Sequence, residues 1–380
     1  MRITIVQGAF FPVPPVMGGA VEKVWYELGR AFAQRGHDVT HVSRSHPNLP
    51  DSETNGGVTY HRVAGYDAPR SLALLKALDL LYSLRVVRVL PPADILVSNT
   101  FWLPVIAPLN RYGRIYVHVA RYPKGQLWLY RKAARLQTVS RAIAEVASKQ
   151  SPRLSERVRV IPYFVPDVGN SQPAQYLRRE KKLLYVGRIH PEKGIGLLLK
   201  AFDSFLAAGH RDWKLVVVGP WQAKYGGGGD EYYAHLQRSS ASISSQIDWV
   251  GSMFEPSTLN SFYGSASLFV YPSLAEYGET FGLAPLEAMA NGCPPVVSAL
   301  TCFSEFIDDG RNGWIFDHRA KDASDRLASK LIDLARDEQV RAAAGSEAIK
   351  TARRFSVDAV ASCYLRDFEE IIRGHHLIER

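Results

Sequence analysis

Two short segments hold the residue types from which chemistry could be built. The first is GRIHPEKG, Gly187 to Gly194, directly after the apolar run KLLYV. Gly187 lets the chain turn where that run ends, and Arg188 and Lys193 follow five residues apart. A guanidinium and an ammonium so spaced can converge on one diphosphate, the first in bidentate fashion and the second as a point charge. Cations fixed in advance stabilise the charge that builds on a departing diphosphate. The plainer reading is a pair of solvated cations flanking a helix start. The second segment is PSLAEYGETFGLAPLEAMANG, Pro272 to Gly292. It sets Glu279 in a loop and Glu287 about one turn into a helix that ends at Gly292, with seven residues between the two carboxylates. The N–H groups of Phe281, Gly282 and Leu283 fall at that helix start, where phosphate or sugar oxygens can be met. Carboxylates also suit paired hydrogen bonds to vicinal hydroxyls. The plainer reading makes Glu279 a loop carboxylate near a helix dipole and Glu287 an exposed helix residue, although Ala284, Ala288 and Gly292 are poor company for a polar helix surface.

The elements that must position these residues alternate along the chain. RITIVQG is an apolar strand, AVEKVWYELGRAFAQRG has helical periodicity, and DVTHVS is the next strand. ILVSN, RIYVHV and LQTVS continue the series. IPYFVPDVGNSQPAQ has the composition of a linker. Alternation then restarts with KLLYVGR, KLVVVGP, IDWVG, SLFVYPS and PPVVSA, separated by helical stretches. A chain of 380 residues exceeds the usual single core. An α/β protein of two doubly wound, Rossmann-like domains follows, with the crevice at the strand C-termini as the expected ligand site.

With 46% hydrophobic and 22% charged residues the composition is that of a soluble globular protein. No run approaches the roughly 18 apolar residues of a spanning helix, and the prolines after MRITIVQGAFF mark a first strand rather than a signal peptide. Cys293, Cys302 and Cys363 are odd in number, lack metal-type spacing and read as buried free thiols of a reducing cytoplasm. Residues 1–170 carry 22 Lys/Arg against 11 Asp/Glu, and residues 171–380 carry 24 against 26. The basic first half suggests an anionic partner such as a membrane surface, a lipid phosphate or an acidic glycan, or else plain solubilising charge. No nucleic-acid-binding signature accompanies it. Residues 71–90, SLALLKALDLLYSLRVVRVL, predict an apolar, mildly basic helix; burial on the side of the first domain is preferred over membrane docking because the polar face is narrow.

These segments together resemble glycosyltransferase family 4, retaining enzymes of GT-B fold, over essentially the whole chain. MGGAVEKVWYELGRAFAQRGHDVTHVS resembles the family's first glycine loop, helix and second strand. VIPYFVPD, GRIHPEKGIGLLLKAF, YPSLAEYGETFGLAPLEAMANGCPPVVS and EFIDDGRNGWIFD resemble its later blocks, in order. The resemblance implies two Rossmann-like domains facing across a cleft: an acceptor-side domain over residues 1–165, a nucleotide-sugar domain over 175–354, and a last helix, 355–380, packed back on the first. It implies that Gly18 and Gly19 admit the donor phosphate and sugar, that His118 hydrogen-bonds the donor sugar, and that Arg188 and Lys193 hold the diphosphate. Glu279 is implied on the sugar hydroxyls, Glu287 on the ribose, and Met253 in a base-contacting loop. Three positions depart from the family pattern: an extra carboxylate at Glu276, LTCFSE in place of a Gly-Gly pair before Glu305, and Tyr163 and Phe164 where Asn and Gly are common.

The activity implied is retaining transfer of a hexose-type sugar from a UDP or GDP sugar to a glycan, lipid-linked or small-molecule hydroxyl, in cell-surface polysaccharide or glycolipid synthesis. No cofactor is expected. The nucleotide sugar is a co-substrate, and the lack of any Asp-x-Asp sequence agrees with metal independence. Arg121 and Lys124, just after His118, are candidate acceptor contacts. The expected location is the cytoplasm, with the inner membrane face as an additional site. Two alternatives remain: a non-catalytic GT-B subunit that binds nucleotide sugar, and a nucleotide-sugar 2-epimerase, against which the Glu279/Glu287 pair argues.

Overall fold

The computed structural model describes residues 1–69, 71–165, 179–253 and 255–376, with the side chains of 109, 110, 375 and 376 left out. Residues 166–178, which include the larger part of the expected linker (161–175), lie outside the described residues. Its beginning is not loose: Ile161, Tyr163, Phe164 and Val165 are buried. The chain divides into two compact units, Met1–Phe164 with Val357–Arg380, and Val165–Ser356.

The first unit is built on an eight-stranded sheet of β1 (Arg2–Val6), β2 (Asp38–Arg44), β3 (Ser52–Asn55), β4 (Val58–Val63), β5 (Ile95–Ser98), β6 (Arg114–Val119), β7 (Arg135–Thr138) and β8 (Val158–Val160), in the order β3-β4-β2-β1-β5-β6-β7-β8. All neighbours run parallel except β3 and β4. Strands β1 and β5 are nearly continuous apolar runs, as sheets covered on both faces require. The β3–β4 hairpin was not expected; its signal is Asn55-Gly56-Gly57, and both glycines adopt positive φ at the turn. The helices are α1 (Ala20–Gln34), α2 (Leu72–Val89), the short α3 (Leu103–Ile106) and α4 (Leu109–Tyr112), and α5 (Arg141–Gln150).

Helix α2 corrects the sequence reading. It is not a buried lateral helix: Leu72, Leu74, Leu81, Leu84 and Val89 are exposed, whereas Asp79, Tyr82, Ser83 and Val86 are buried. The inversion has a local cause. Asp79 accepts hydrogen bonds from the backbone N–H groups of Phe101 and Trp102, both at 3.0 Å, so the helix must turn its acid inward.

The second unit has a six-stranded parallel sheet of β9 (Glu180–Val186), β10 (Lys214–Val218), β11 (Ile247–Gly251), β12 (Ala266–Tyr271), β13 (Pro295–Ser298) and β14 (Trp314–Phe316), ordered β11-β10-β9-β12-β13-β14. Around it lie α6 (Ile195–Ala207), α7 (Gly229–Ser239), α8 (Pro256–Ser265), α9 (Leu283–Ala290), α10 (Ala323–Arg336) and α11 (Glu338–Arg353). Cys293 and Cys302 are buried free thiols, Cys293 pushed up to about 12 by burial; Cys363, expected to be buried, is only half-buried.

The chain returns to the first unit through α12 (Val357–His376). Tyr364 and Phe368 pack edge-on against Trp25 and Phe32 of α1. Beneath them Asp367, 3% exposed, accepts from the Tyr116 hydroxyl at 2.8 Å and from Arg135 and Arg159 at 2.6 and 3.2 Å. Removing one member of a buried charge network leaves the others unpaired. Asp367→Ala is therefore expected to lower stability by about 3 kcal/mol, measured by denaturant unfolding, whereas Asp358→Ala, an exposed end of the same helix, stays within about 0.5 kcal/mol.

Candidate active site

The chemistry-bearing residues of the second unit gather where β9 and β12 end. After β9 the chain turns through Pro191–Lys193, with His190 Nδ1 accepting from the Glu192 N–H, and Gly194 in left-handed conformation starts α6. A Cβ at Gly194 would lie 1.9 Å from the Pro272 carbonyl oxygen, so only glycine lets this turn press on the loop that follows β12. The contact delivers Lys193 to Glu279: Nζ lies 2.7 Å from Oε2, with the ammonium side chain 7% exposed and the carboxylate 11%. The Tyr271 and Ser273 hydroxyls donate to the same oxygen at 3.2 and 3.3 Å. Tyr271 stacks on Tyr185, and burial raises both phenols well above their usual range, so they remain donors.

Arg188 is arranged differently. Its guanidinium donates to the Gly226 carbonyl at 2.7 Å and to Glu192 at 2.9 Å, and its side chain is 43% exposed. The fields of Arg188 and Glu279 both reach the Tyr185–Tyr271 pair. The expected pair thus lies at one strand mouth, but each cation has its own carboxylate, Glu192 for Arg188 and Glu279 for Lys193.

Gly282, left-handed, caps α9, and Phe281 and Gly282 are buried beside the half-buried Leu283. Glu287, on the fifth residue of α9, is half-buried and accepts from the buried Tyr263 hydroxyl at 2.9 Å, which rules out the exposed-helix reading. Glu276 is committed elsewhere. Arg319 grips it through Nε at 2.7 Å and Nη2 at 2.8 Å, and His318 Nε2 lies 2.9 Å away. The Arg319 hydrogen bond, ahead of His318, holds this carboxyl below its ordinary range. Met253, half-buried just past β11, follows Ser252, whose buried hydroxyl finds no partner among the described residues. Among the described residues no three His, Cys, Asp or Glu side chains gather as a metal-binding group.

In the first unit His118 is the last but one residue of β6, buried against Trp25 and Tyr163. Its tautomer follows from Gln137, whose amide nitrogen donates to the Thr138 and Ile161 carbonyls at 2.8 and 2.7 Å. The Gln137 carbonyl oxygen therefore faces His118 and accepts from Nδ1–H. Nε2 is left as an acceptor, 3.5 Å from the Tyr163 hydroxyl. Burial pushes the imidazole down to about 4, only partly offset by Gln137. Gly18 and Gly19 lead into α1 with positive φ, and Glu22 folds back so that a Cβ at Gly19 would meet its carboxylate at 2.1 Å. Burial raises Glu22, and the exposed Arg121 partly counters it. Lys124 is exposed beyond them. Gln137, Glu22, Tyr263 and Tyr271 were not anticipated; the pattern GGAVE was the available signal for Glu22.

A neutral imidazole buried in the fold makes unfolding take up a proton below pH 6.5. Between about pH 6.5 and 4 His118 therefore costs stability as the solution is acidified, by at most about 1.4 kcal/mol per pH unit. Wild type should lose stability relative to His118→Gln between pH 7 and pH 4.5 in calorimetric melts. A difference between the two proteins that stays constant across that range would contradict the buried neutral histidine.

The family described as Glycosyltransferase Family 4 matches residues 17–167, and that described as Glycosyl transferases group 1 matches residues 170–351. Spore coat protein SA of Bacillus subtilis is 25% identical over 97% of this chain and 100% of its own length. The lipopolysaccharide 1,2-N-acetylglucosaminetransferase of Salmonella typhimurium is 38% identical over 41% of this chain and 42% of its own. Several curated relatives, the latter among them, are matched over only about half their length. Among solved structures, sucrose-phosphate synthase from Thermosynechococcus elongatus superposes with a TM-score of 0.79 at 18% identity, over 98% of this chain and all of that one, a likeness of fold. The chain belongs to glycosyltransferase family 4 and has its two-domain α/β GT-B fold.

Proposed function

We propose that this glycosyltransferase is a retaining, metal-independent enzyme that moves a hexose-type sugar from a UDP or GDP sugar to a hydroxyl acceptor in cell-surface polysaccharide or glycolipid synthesis. The observation that carries the reading is the buried Lys193–Glu279 pair. A fixed ammonium beside a carboxylate, at the C-terminal end of parallel strands, suits a ligand that is anionic at one end and polyhydroxylated at the other. Relatives named as mannosyl- and N-acetylglucosaminyltransferases support the hexose. In this reading the second unit holds the donor and the first serves the acceptor, with Arg121 and Lys124 as acceptor contacts.

Lys193 and Arg188 stabilise the diphosphate as its bond to the sugar breaks and the electron pair leaves with the phosphate oxygen. A sugar hydroxyl donates to Glu279 Oε1, since the three protein donors all address Oε2. Glu287, steadied by Tyr263, accepts from the ribose; the backbone at Phe281, Gly282 and Leu283 meets donor oxygens, and Met253 lies by the base. His118, an acceptor at Nε2, takes a hydrogen bond from the sugar when the Tyr163 hydroxyl gives way. The acceptor oxygen bonds to the same face of the anomeric carbon, and its proton passes to the departing diphosphate, so no protein nucleophile is required.

Lys193→Ala and Arg188→Ala are each expected to lower kcat about a hundredfold, roughly 3 kcal/mol of transition-state stabilisation, with full activity of the wild type in excess EDTA. Wild-type turnover in Lys193→Ala, loss of activity in EDTA restored by a divalent ion, or an inverted anomer by NMR would each defeat part of the reading. Glu276, held by Arg319, is proposed to position the loop that carries Glu279. Arg319→Ala should then lower kcat by up to about a hundredfold, while leaving nucleoside diphosphate affinity unchanged in titration calorimetry. Arg319→Lys should recover part of the loss.

A further inference from the structure

His118 is held from two sides by one stretch of chain. Strands β6 and β7 are parallel neighbours in which His118 stands opposite Gln137, so the two side chains share a face of the sheet. Gln137 is wholly buried, and its amide nitrogen is anchored on the Thr138 carbonyl and on the carbonyl of Ile161, the residue after β8. Its oxygen is thereby turned to His118 Nδ1. Two residues past Ile161 the chain comes back to the same ring. Tyr163, 7% exposed, sets its hydroxyl 3.5 Å from Nε2, with the ring centroids 6.0 Å apart. Both imidazole nitrogens are thus occupied, Nδ1 by a side chain that Ile161 anchors and Nε2 by Tyr163. Tyr163 is also one of the positions at which the chain departs from the family pattern.

We infer that Gln137 and Tyr163 are positioning residues for sugar transfer: Gln137 fixes Nε2 as the acceptor that His118 presents, and the Tyr163 hydroxyl holds that acceptor occupied until a donor-sugar hydroxyl displaces it. The inference deepens the donor reading and rests on His118 meeting the sugar. A neutral imidazole has one N–H, and an amide oxygen locked towards Nδ1 can only accept, so the proton stays at Nδ1. An incoming sugar hydroxyl replaces the Tyr163 hydroxyl without leaving Nε2 unpaired, because one O–H donor exchanges for another. At 3.5 Å the contact that is given up is long for an O–H donor, and burial, which raises the phenol, keeps Tyr163 neutral. Removing the two groups therefore acts in opposite senses. Without Gln137 the proton moves to Nε2, and the ring offers a donor where an acceptor is needed. Without the Tyr163 hydroxyl Nε2 is buried and unpaired in the empty enzyme, and bound sugar restores what the free state has lost.

The test reads the ring directly and then the reaction. Nitrogen NMR of the full chain carrying isotope-labelled histidine is expected to show His118 as the Nδ1–H tautomer, and Gln137→Leu to move it to Nε2–H. Gln137→Met serves if the leucine variant does not fold, and Gln137→Glu, which keeps an oxygen towards Nδ1–H, should return the tautomer. In turnover of UDP-glucose or GDP-mannose, whichever the wild type uses, Gln137→Leu should lower kcat at least about tenfold with nucleoside diphosphate affinity unchanged. Tyr163→Phe should lower KM for the same nucleotide sugar about fivefold without lowering kcat. An Nε2–H tautomer in the wild type, an unchanged tautomer in both Gln137→Leu and Gln137→Met, or a raised KM in Tyr163→Phe overturns the inference alone. Full kcat in His118→Ala overturns it by removing the donor reading of His118 on which it rests.

Discussion

An ammonium and a carboxylate that have both left water impose stringent conditions on the surrounding chain. Lys193 and Glu279 lie 2.7 Å apart and almost wholly buried. Desolvating two such charges costs several kcal/mol each unless geometry and further hydrogen bonds offset it. The second unit supplies those conditions locally. Gly194 brings the Lys193 turn against the Pro272 carbonyl, Tyr271 and Ser273 add two hydroxyls to the carboxylate, and Tyr185 stacks behind Tyr271 while donating to the Arg188 carbonyl. Two segments distant in sequence, 185–194 and 271–279, are thereby fixed by one electrostatic requirement. In the proposed reading, a donor that adds negative charge at Lys193 would meet a group whose solvation cost was met in folding, which is the condition for preorganised stabilisation.

The first unit is held by a different device. Gln137 is locked by two carbonyls, so it fixes the His118 tautomer and makes Nε2 an acceptor. Glu22, crowded over Gly19 with Arg121 acting on it electrostatically, leaves room for no side chain at that glycine. Both arrangements fix local polarity: His118 presents an acceptor at Nε2, and Glu22 is a carboxylate that burial pushes towards its neutral form.

The contrast between what was and was not legible in the sequence has a physical basis. GRIHPEKG and the Glu279/Glu287 spacing could be read because strand end, turn, cation and helix start are all local, and local geometry determines what those residues can reach. Glu276 could not be read. Its meaning depends on Arg319, 43 residues later and brought near only by the sheet order β12-β13-β14. Arg188 was read as half of one diphosphate pair, yet its resting partners are Glu192 and the Gly226 carbonyl. The β3–β4 hairpin interrupts the strand–helix alternation of the surrounding chain, and its local signal is confined to Asn55-Gly56-Gly57.

Helix α2 is the sharpest case, because its composition misled in a specific way. Apolar residues all round a helix ordinarily mean burial, and the narrow polar face reinforced that reading. The face that goes inward is decided instead by Asp79, the one group that cannot stay unpaired. Once Phe101 and Trp102 present two backbone N–H donors, turning the helix by half a revolution would strand those donors as well as the carboxylate. Unsatisfied buried polar groups cost more than exposed leucines, so polar satisfaction outweighs apolar burial and the leucines face out. The same exchange that stabilises the unit leaves it with an exposed leucine face beside Arg88, a property that follows from the buried acid and not from the leucines.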